Sequence, residues 1–315
     1  MFNIIQRRYW YFALSAFVIV PGLIAMIISL SRYGTIVKLG IDFTGGAIQE
    51  LHFQKAVQPA DVRQVFVNQG YGDTVVQTST DEQTVIIRSK YLDDQAKAQV
   101  QAAVRDTIGP FDELRFEAVG PTIGSEVTQA ATTAVIAASI VILTFIWFAF
   151  RKVPKPFRYG VCAIIAELHD VLVATGLFSL AGVLLGWEAD ALFLTALLTV
   201  IGFSVQDTIV VYDRIRENVP KRRGEDYETV VNRSLLETIH RSLATQLNAI
   251  FVLIAILLFG GATMKQFVAV LLVGMISGSY SSIFNAVPLL VVWEKGEVGN
   301  FFRRLLGRPQ RAATY

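Results

Sequence analysis

The stretch Ala191–Tyr212, ALFLTALLTVIGFSVQDTIVVY, decides the fold of this chain. A helix needs about 20 consecutive, mostly apolar residues to cross the hydrocarbon core of a bilayer. This stretch has 22, and Asp207 is its one charged residue. A helix is the default, because a lone strand leaves its backbone groups unsatisfied in lipid. The stretch therefore reads as a membrane span with an acid inside it.

Five further blocks of the same kind lie on either side. They run from about Tyr9 to Leu30, Ala130 to Phe150, Tyr159 to Leu185, Leu243 to Gly260 and Phe267 to Trp293. The third of the six in chain order holds Glu167, His169 and Asp170. The whole chain of 315 residues is 53% hydrophobic and 17% charged, against roughly 25% charge in soluble domains. Its mean hydropathy of +0.49 excludes an ordinary water-exposed globule. The single Cys162 excludes an internal disulfide framework and a multi-cysteine metal site. The first block follows Arg7 and Arg8 and has no clear cleavage site after it, so it reads as an uncleaved anchor.

Residues 31–128 contain no span and read as a separate soluble α+β domain. They hold nine Lys/Arg and thirteen Asp/Glu, a balance of −4, while the remainder balances at +6. An alternating run Ala47–Phe53 predicts a strand, and Pro59 opens a helix that stops at Gly70. Strands are expected over Thr74–Thr78 and Thr84–Arg88, a helix from Asp93 and Asp94 to Gly109, and a last strand over Leu114–Val119. The order βαββαβ is that of ferredoxin-like folds. The expected organisation is a first span over 1–30, this domain over 31–128, spans two to six over 129–295 and a basic tail over 296–315.

The basic residues set an orientation. Arg7, Arg8, Arg151, Lys152, Lys155 and Arg158 fall on one side, as do Arg214, Arg216, Lys221, Arg222, Arg223, Arg233 and Arg241. Lys295, Arg303, Arg304, Arg308 and Arg311 join them, whereas the opposite loops hold only Glu188, Asp190 and Lys265. Cytoplasmic loops are enriched in Lys and Arg. Both termini are thus expected in the cytoplasm and the soluble domain on the far side.

An ionisable side chain at a helix centre costs roughly 2.5–3.5 kcal/mol on insertion scales. Asp207 therefore reads as a proton carrier or as one half of a permanent buried pair. Arg241, at the start of the fifth span, reads either as its natural partner or as a positive-inside anchor that snorkels to the lipid headgroups. Thr245 and Asn248 follow Arg241 on one helical face. His169 and Asp170 diverge by about 100°, and helix packing or tuning is expected of them. Gly274, Gly278 and Ser282 form a small-residue stripe on the sixth span, and Ser277, Ser281 and Asn285 a second one. Pro288 is expected to kink that helix. Neither a metal site nor a nucleophile with its base is evident from spacing, and no enzyme activity or cofactor is expected.

Five passages together resemble the SecF family of protein-export membrane proteins, part of the SecDF group and the resistance–nodulation–division superfamily. They are Gly40–Gly46 (GIDFTGG), Val119–Glu126 (VGPTIGSE), His169-Asp170, Gln206–Asn218 (QDTIVVYDRIREN) and Gly278–Leu289 (GSYSSIFNAVPL). The resemblance implies a bacterial inner-membrane subunit that works with SecD beside the SecYEG channel. Such a subunit uses the proton-motive force to assist preprotein translocation. YajC is a further candidate partner, and no nucleic acid is involved. It implies that Asp207 and Arg241 take the places of the coupling carboxylate and arginine, with Gln206, Thr245 and Asn248 around them. Asp42, Gly45 and Gly46 match the motif that opens the periplasmic domain. The chain departs from the family pattern at Gln206, where Asn is usual, and at Gln246, Asn248 and Ala249, where hydroxyl residues are typical. Those departures keep sodium open as the coupling ion. Half of a small-molecule efflux transporter and a non-energised assembly scaffold are the alternative readings.

Overall fold

A computed structural model describes residues 3–79, 82–151, 156–222 and 224–297. Lys152, Lys155, Arg223 and the expected tail from residue 298 onward, with Arg303, Arg304, Arg308 and Arg311, lie outside the described residues. The chain forms two compact units. One comprises residues 39–134 and 188–191; the other holds the rest. The sequence reading put the soluble part at 31–128.

In the smaller unit the elements are α2 (Ile41–Thr44), β1 (Gly46–Phe53), α3 (Pro59–Asn68), β2 (Val75–Thr78), β3 (Thr84–Ser89), α4 (Asp94–Thr107) and β4 (Phe111–Val119). Each expected strand and helix is present within one to three residues. The sheet is antiparallel, in the order β2-β3-β1-β4. Pro59 stands in the first turn of α3, and Asp93 caps α4 by accepting from the Ala96 N–H at 2.7 Å. Alternation along β1 turns Ala47, Leu51 and Phe53 into a core with Val62, Phe66, Val85, Ile87, Val100 and Val104. The motif glycines have a backbone reason. Gly45 and Gly46 both have positive φ, at 72° and 129°. A Cβ on Gly46 would stand 2.9 Å from the Ser89 carbonyl oxygen. Asp42 accepts from the Ala191 N–H at 2.9 Å.

Glu113 makes the stability of this unit depend on pH. Burial pushes its carboxyl up, but hydrogen bonds from Lys97 and Gln101 outweigh that and hold it below the ordinary 4.5. A depressed acid contributes stability above its unfolded value and loses it as pH falls through the folded one. Acidification below about pH 4.5 should therefore lower the thermal midpoint of the purified chain less in Glu113→Gln than in the parent.

The larger unit is helical: α1 (Arg8–Tyr33), α5 (Pro121–Phe150, whose first turns belong to the smaller unit), α6 (Pro156–Leu185), α7 (Ala191–Lys221), α8 (Tyr227–Phe259), α9 (Ala262–Ser281) and α10 (Val287–Glu294). Among the described residues, six helical segments are long and apolar enough to cross a membrane, α9 and α10 counting as one. Two helices begin well before their apolar blocks. α8 starts at Tyr227 rather than Leu243, because Asp226 caps it there by accepting from the Glu228 N–H. α5 starts at Pro121 rather than Ala130. Apolar content marks the lipid-length part of a helix, not the polar turns that extend it into water.

Pro288 acts through the segment before it. Ser282–Ala286 is a π-helical turn joining α9 to α10. Such a bulge absorbs the i−4 bond that proline cannot make. The Tyr212 hydroxyl donates to the Ala286 carbonyl at 3.0 Å.

Small residues set the helix approaches. Between membrane helices lipid gives no hydrophobic drive, so association rests on close packing and hydrogen bonds. A Cβ on Gly274 would meet Val200 of α7, and one on Gly278 would stand 3.3 Å from the Ser204 backbone. Ser282 completes the expected stripe, but its hydroxyl turns back to the Ser279 carbonyl. A close backbone approach between two helices has no counterpart in the sequence reading. A Cβ on Gly22 of α1 would lie 2.9 Å from Gly176 Cα on α6, and one on Gly176 2.8 Å from Gly22 Cα. Backbone cannot yield as a side chain does. Gly176→Val should destabilise the bundle by about 1–3 kcal/mol, the range for overpacking. A lowered thermal midpoint in bilayers would register it, while the exposed Gly202→Val should have little effect.

The helix ends that carry basic residues meet. Arg8 binds Glu297 at 2.5 Å and reaches Glu228 at 3.6 Å. Lys295 pairs with Glu228, and Arg158 with Glu294. The starts of α1, α6 and α8 and the end of α10 therefore share one end of the bundle.

Candidate ion-coupling site

Two carboxylates lie near the midpoints of their helices and differ sharply in surroundings. Asp170 is the fifteenth of the 30 residues of α6 and fully buried. Its Oδ1 accepts from Ser277 Oγ at 2.6 Å and from His169 Nδ1 at 2.9 Å. Its Oδ2 accepts from Ser204 Oγ and Ser281 Oγ, each at 2.5 Å. A carboxylate has about four acceptor sites, and all four are taken. α6, α7 and α9 are thus tied at one point. The polar stripe of α9 supplies Ser277 and Ser281, while Asn285 exchanges hydrogen bonds with Ser15 of α1.

His169 and Asp170 diverge as expected, yet their side chains meet. Their backbone directions differ, and Asp170 faces the serines while His169 lines a cavity of about 410 Å³ between α1, α6 and α9. Side-chain torsion nevertheless folds the imidazole back onto its neighbour's carboxylate. Nε2 is buried without a partner.

Asp207, 6% exposed, is held by one group. Gln246 Nε2 of α8 donates to its Oδ2 at 2.7 Å. The expected pairing with Arg241 is not what the structure contains. Among the described residues no basic side chain forms an ion pair with Asp207. Helical spacing explains the difference. Arg241, Thr245 and Asn248 do share a face, but that face is exposed. The face turned to Asp207 carries Ser242 and Gln246, both buried. Gln206 also points outward. Of the five expected coupling residues, only Asp207 is buried. Gln246 was singled out in the sequence only as a departure, and its spacing of four from Ser242 was the signal that went unread. Ser204, three residues before Asp207, donates to Asp170.

The comparisons with known proteins agree with this architecture. Residues 99–296 match the family model for the C-terminal part of protein export membrane proteins SecD and SecF. Two relatives are each described as protein translocase subunit SecF. That of Anaerolinea thermophila is 48% identical, covering 96% of this chain and 98% of that one. That of Thermobaculum terrenum is 46% identical over all of both chains. Among solved structures, the translocon-associated membrane protein SecDF from Thermus superposes with a TM-score of 0.76 at 29% identity, covering 93% of this chain and 38% of that one. A second SecDF structure, in a super-membrane-facing form, gives 0.64 at 28% identity over 96% of this chain and 40% of that one. The chain spans about two fifths of the length of those solved chains. Six membrane-spanning helices, the family match and these relatives define a multi-pass membrane protein of the protein-export class. The chain belongs to the SecF family of protein translocase subunits.

Proposed function

We propose that this chain uses the proton-motive force, together with SecD, to assist preprotein translocation at the SecYEG channel of the bacterial cytoplasmic membrane. The observation that carries the reading is the contrast on α8. A polar stripe of Arg241, Thr245 and Asn248 is exposed within or beside a span, while the buried face of the same helix meets Asp207 of α7 through Gln246. Polar groups of that kind do not face lipid cheaply. A second membrane half covers them, and SecDF chains about two and a half times as long are the pattern for it. SecD is that half, and its arrival brings further groups toward Asp207 and Arg241.

On this reading the βαββαβ unit is a ferredoxin-like domain on the periplasmic side. Its strand order supports the fold. The shared end of the bundle bearing Arg8, Arg158 and Lys295 is cytoplasmic, as the distribution of basic residues favours. YajC is a further candidate neighbour. Asp207 is the coupling group, because its carboxylate has acceptor sites left open. Asp170 is structural, because its sites are filled.

The test is translocation into sealed vesicles carrying the complete complex. An imposed proton gradient should accelerate completion of translocation, and vesicles lacking this chain should not respond. Acceleration by a sodium gradient alone would overturn the choice of ion, and equal response without the chain would overturn the function.

A further inference from the structure

Asp207 faces a side chain able to serve it in two states. Gln246 is 7% exposed and gives its Nε2–H to the carboxylate, while its Oε1 is buried with no hydrogen-bond partner. Ser242 Oγ, one turn earlier on the same buried face of α8, is likewise without a partner. Buried polar atoms are nearly always paired, so unpaired ones call for an explanation. Here they cluster beside an acid that the proposed function requires to gain and lose a proton.

The chemistry of a carboxyl group changes with its proton. Ionised, it only accepts hydrogen bonds; protonated, it must also donate one. A lysine or arginine partner serves the first state alone. A primary amide carries a donor and an acceptor at the two ends of one planar group. A half-turn about the last side-chain bond of Gln246 exchanges Nε2–H for Oε1 in front of Asp207.

We propose that Gln246 is the positioning residue for proton exchange at Asp207, presenting its N–H to the carboxylate and its carbonyl to the acid. The proposal rests on the proton-coupled reading given above. The only bond made on loading is the O–H of Asp207, from one proton taken up, and the only bond broken on release is the same one. Gln246 itself gains and loses nothing. The unpaired Oε1 is the acceptor held ready for the loaded state, and Ser242 Oγ is the nearest unengaged hydroxyl on its face.

Infrared difference spectra of the complete complex in vesicles test this. The C=O stretch of protonated Asp207 is the acid band that disappears in Asp207→Asn. In the parent it should lie at the lower frequency of an acid that donates a hydrogen bond. Gln246→Met keeps the length and removes both polar ends. It should move the band to higher frequency and slow gradient-driven translocation roughly tenfold, with the complex still assembled. A role in packing alone would change assembly and leave the band in place, so an unmoved band overturns the proposal. If Gln246→Met fails to assemble, the parent still decides. A side-chain amide band must change in step with the acid band on a pH jump, and its absence overturns the proposal. A parent that shows no acid band at any pH supporting export overturns the proton-coupled reading itself, which is a different outcome.

Discussion

Asp170→Ala is expected to unfold the helical bundle rather than to impair its coupling. Four hydrogen bonds converge on that carboxylate, three of them from α7 and α9. An interhelical hydrogen bond in a membrane protein is worth about 0.6 kcal/mol on average and up to about 1.7. Loss of the three interhelical bonds therefore amounts to about 2–5 kcal/mol, a large part of the usual margin of stability. Ser204→Ala, Ser277→Ala and Ser281→Ala should each cost about 0.6–1.7 kcal/mol, since three donors stay in place. Asp170→Asn should fall between, because serine hydroxyls can turn to accept from an amide. Denaturant unfolding in bilayers ranks the series. Equal stability of Asp170→Ala and the parent would show that the serines hold the helices without the carboxylate.

Asp207→Asn should do the reverse. The amide has nearly the same shape, and its oxygen still accepts from Gln246, so assembly and thermal midpoint should stay near those of the parent. An amide does not exchange a proton in the working pH range. Proton entry into vesicles under an imposed potential, followed with an internal pH dye, should fall about a hundredfold or more toward the background leak. Asp170→Asn, where it folds, should retain the flux. This pair of variants separates a carboxylate with open acceptor sites from one whose sites are filled.

The sequence made these two acids visible but not their difference. Both stand out because charge is rare in apolar blocks. Partners at helical spacing cannot be assigned to a neighbouring helix without its rotation, and rotation is set by packing. The Arg241 face and the Gln246 face of α8 lie on the same few turns, and only the structure decides that Gln246 faces inward. Ser277 and Ser281 were legible as a stripe, yet their common acceptor on α6 was not. Gly22 and Gly176 lie 154 positions apart, and no local pattern joins them. In the smaller unit legibility was much higher. Alternation, Pro59 and the Asp93 cap are local signals, and they located every strand and helix there except the single turn α2. α5 and α8 exceeded expectation for the converse reason, since the polar turns that lengthen them carry no hydropathy signal.

The central claim is that this chain turns a proton gradient into preprotein movement through Asp207. Its most direct measurement is the rate of late translocation in vesicles carrying the complete complex, with and without an imposed proton gradient, for the parent and for Asp207→Asn. The parent should accelerate under the gradient, and the assembled Asp207→Asn complex should run at the ungradiented rate. Equal acceleration of the two would contradict the account.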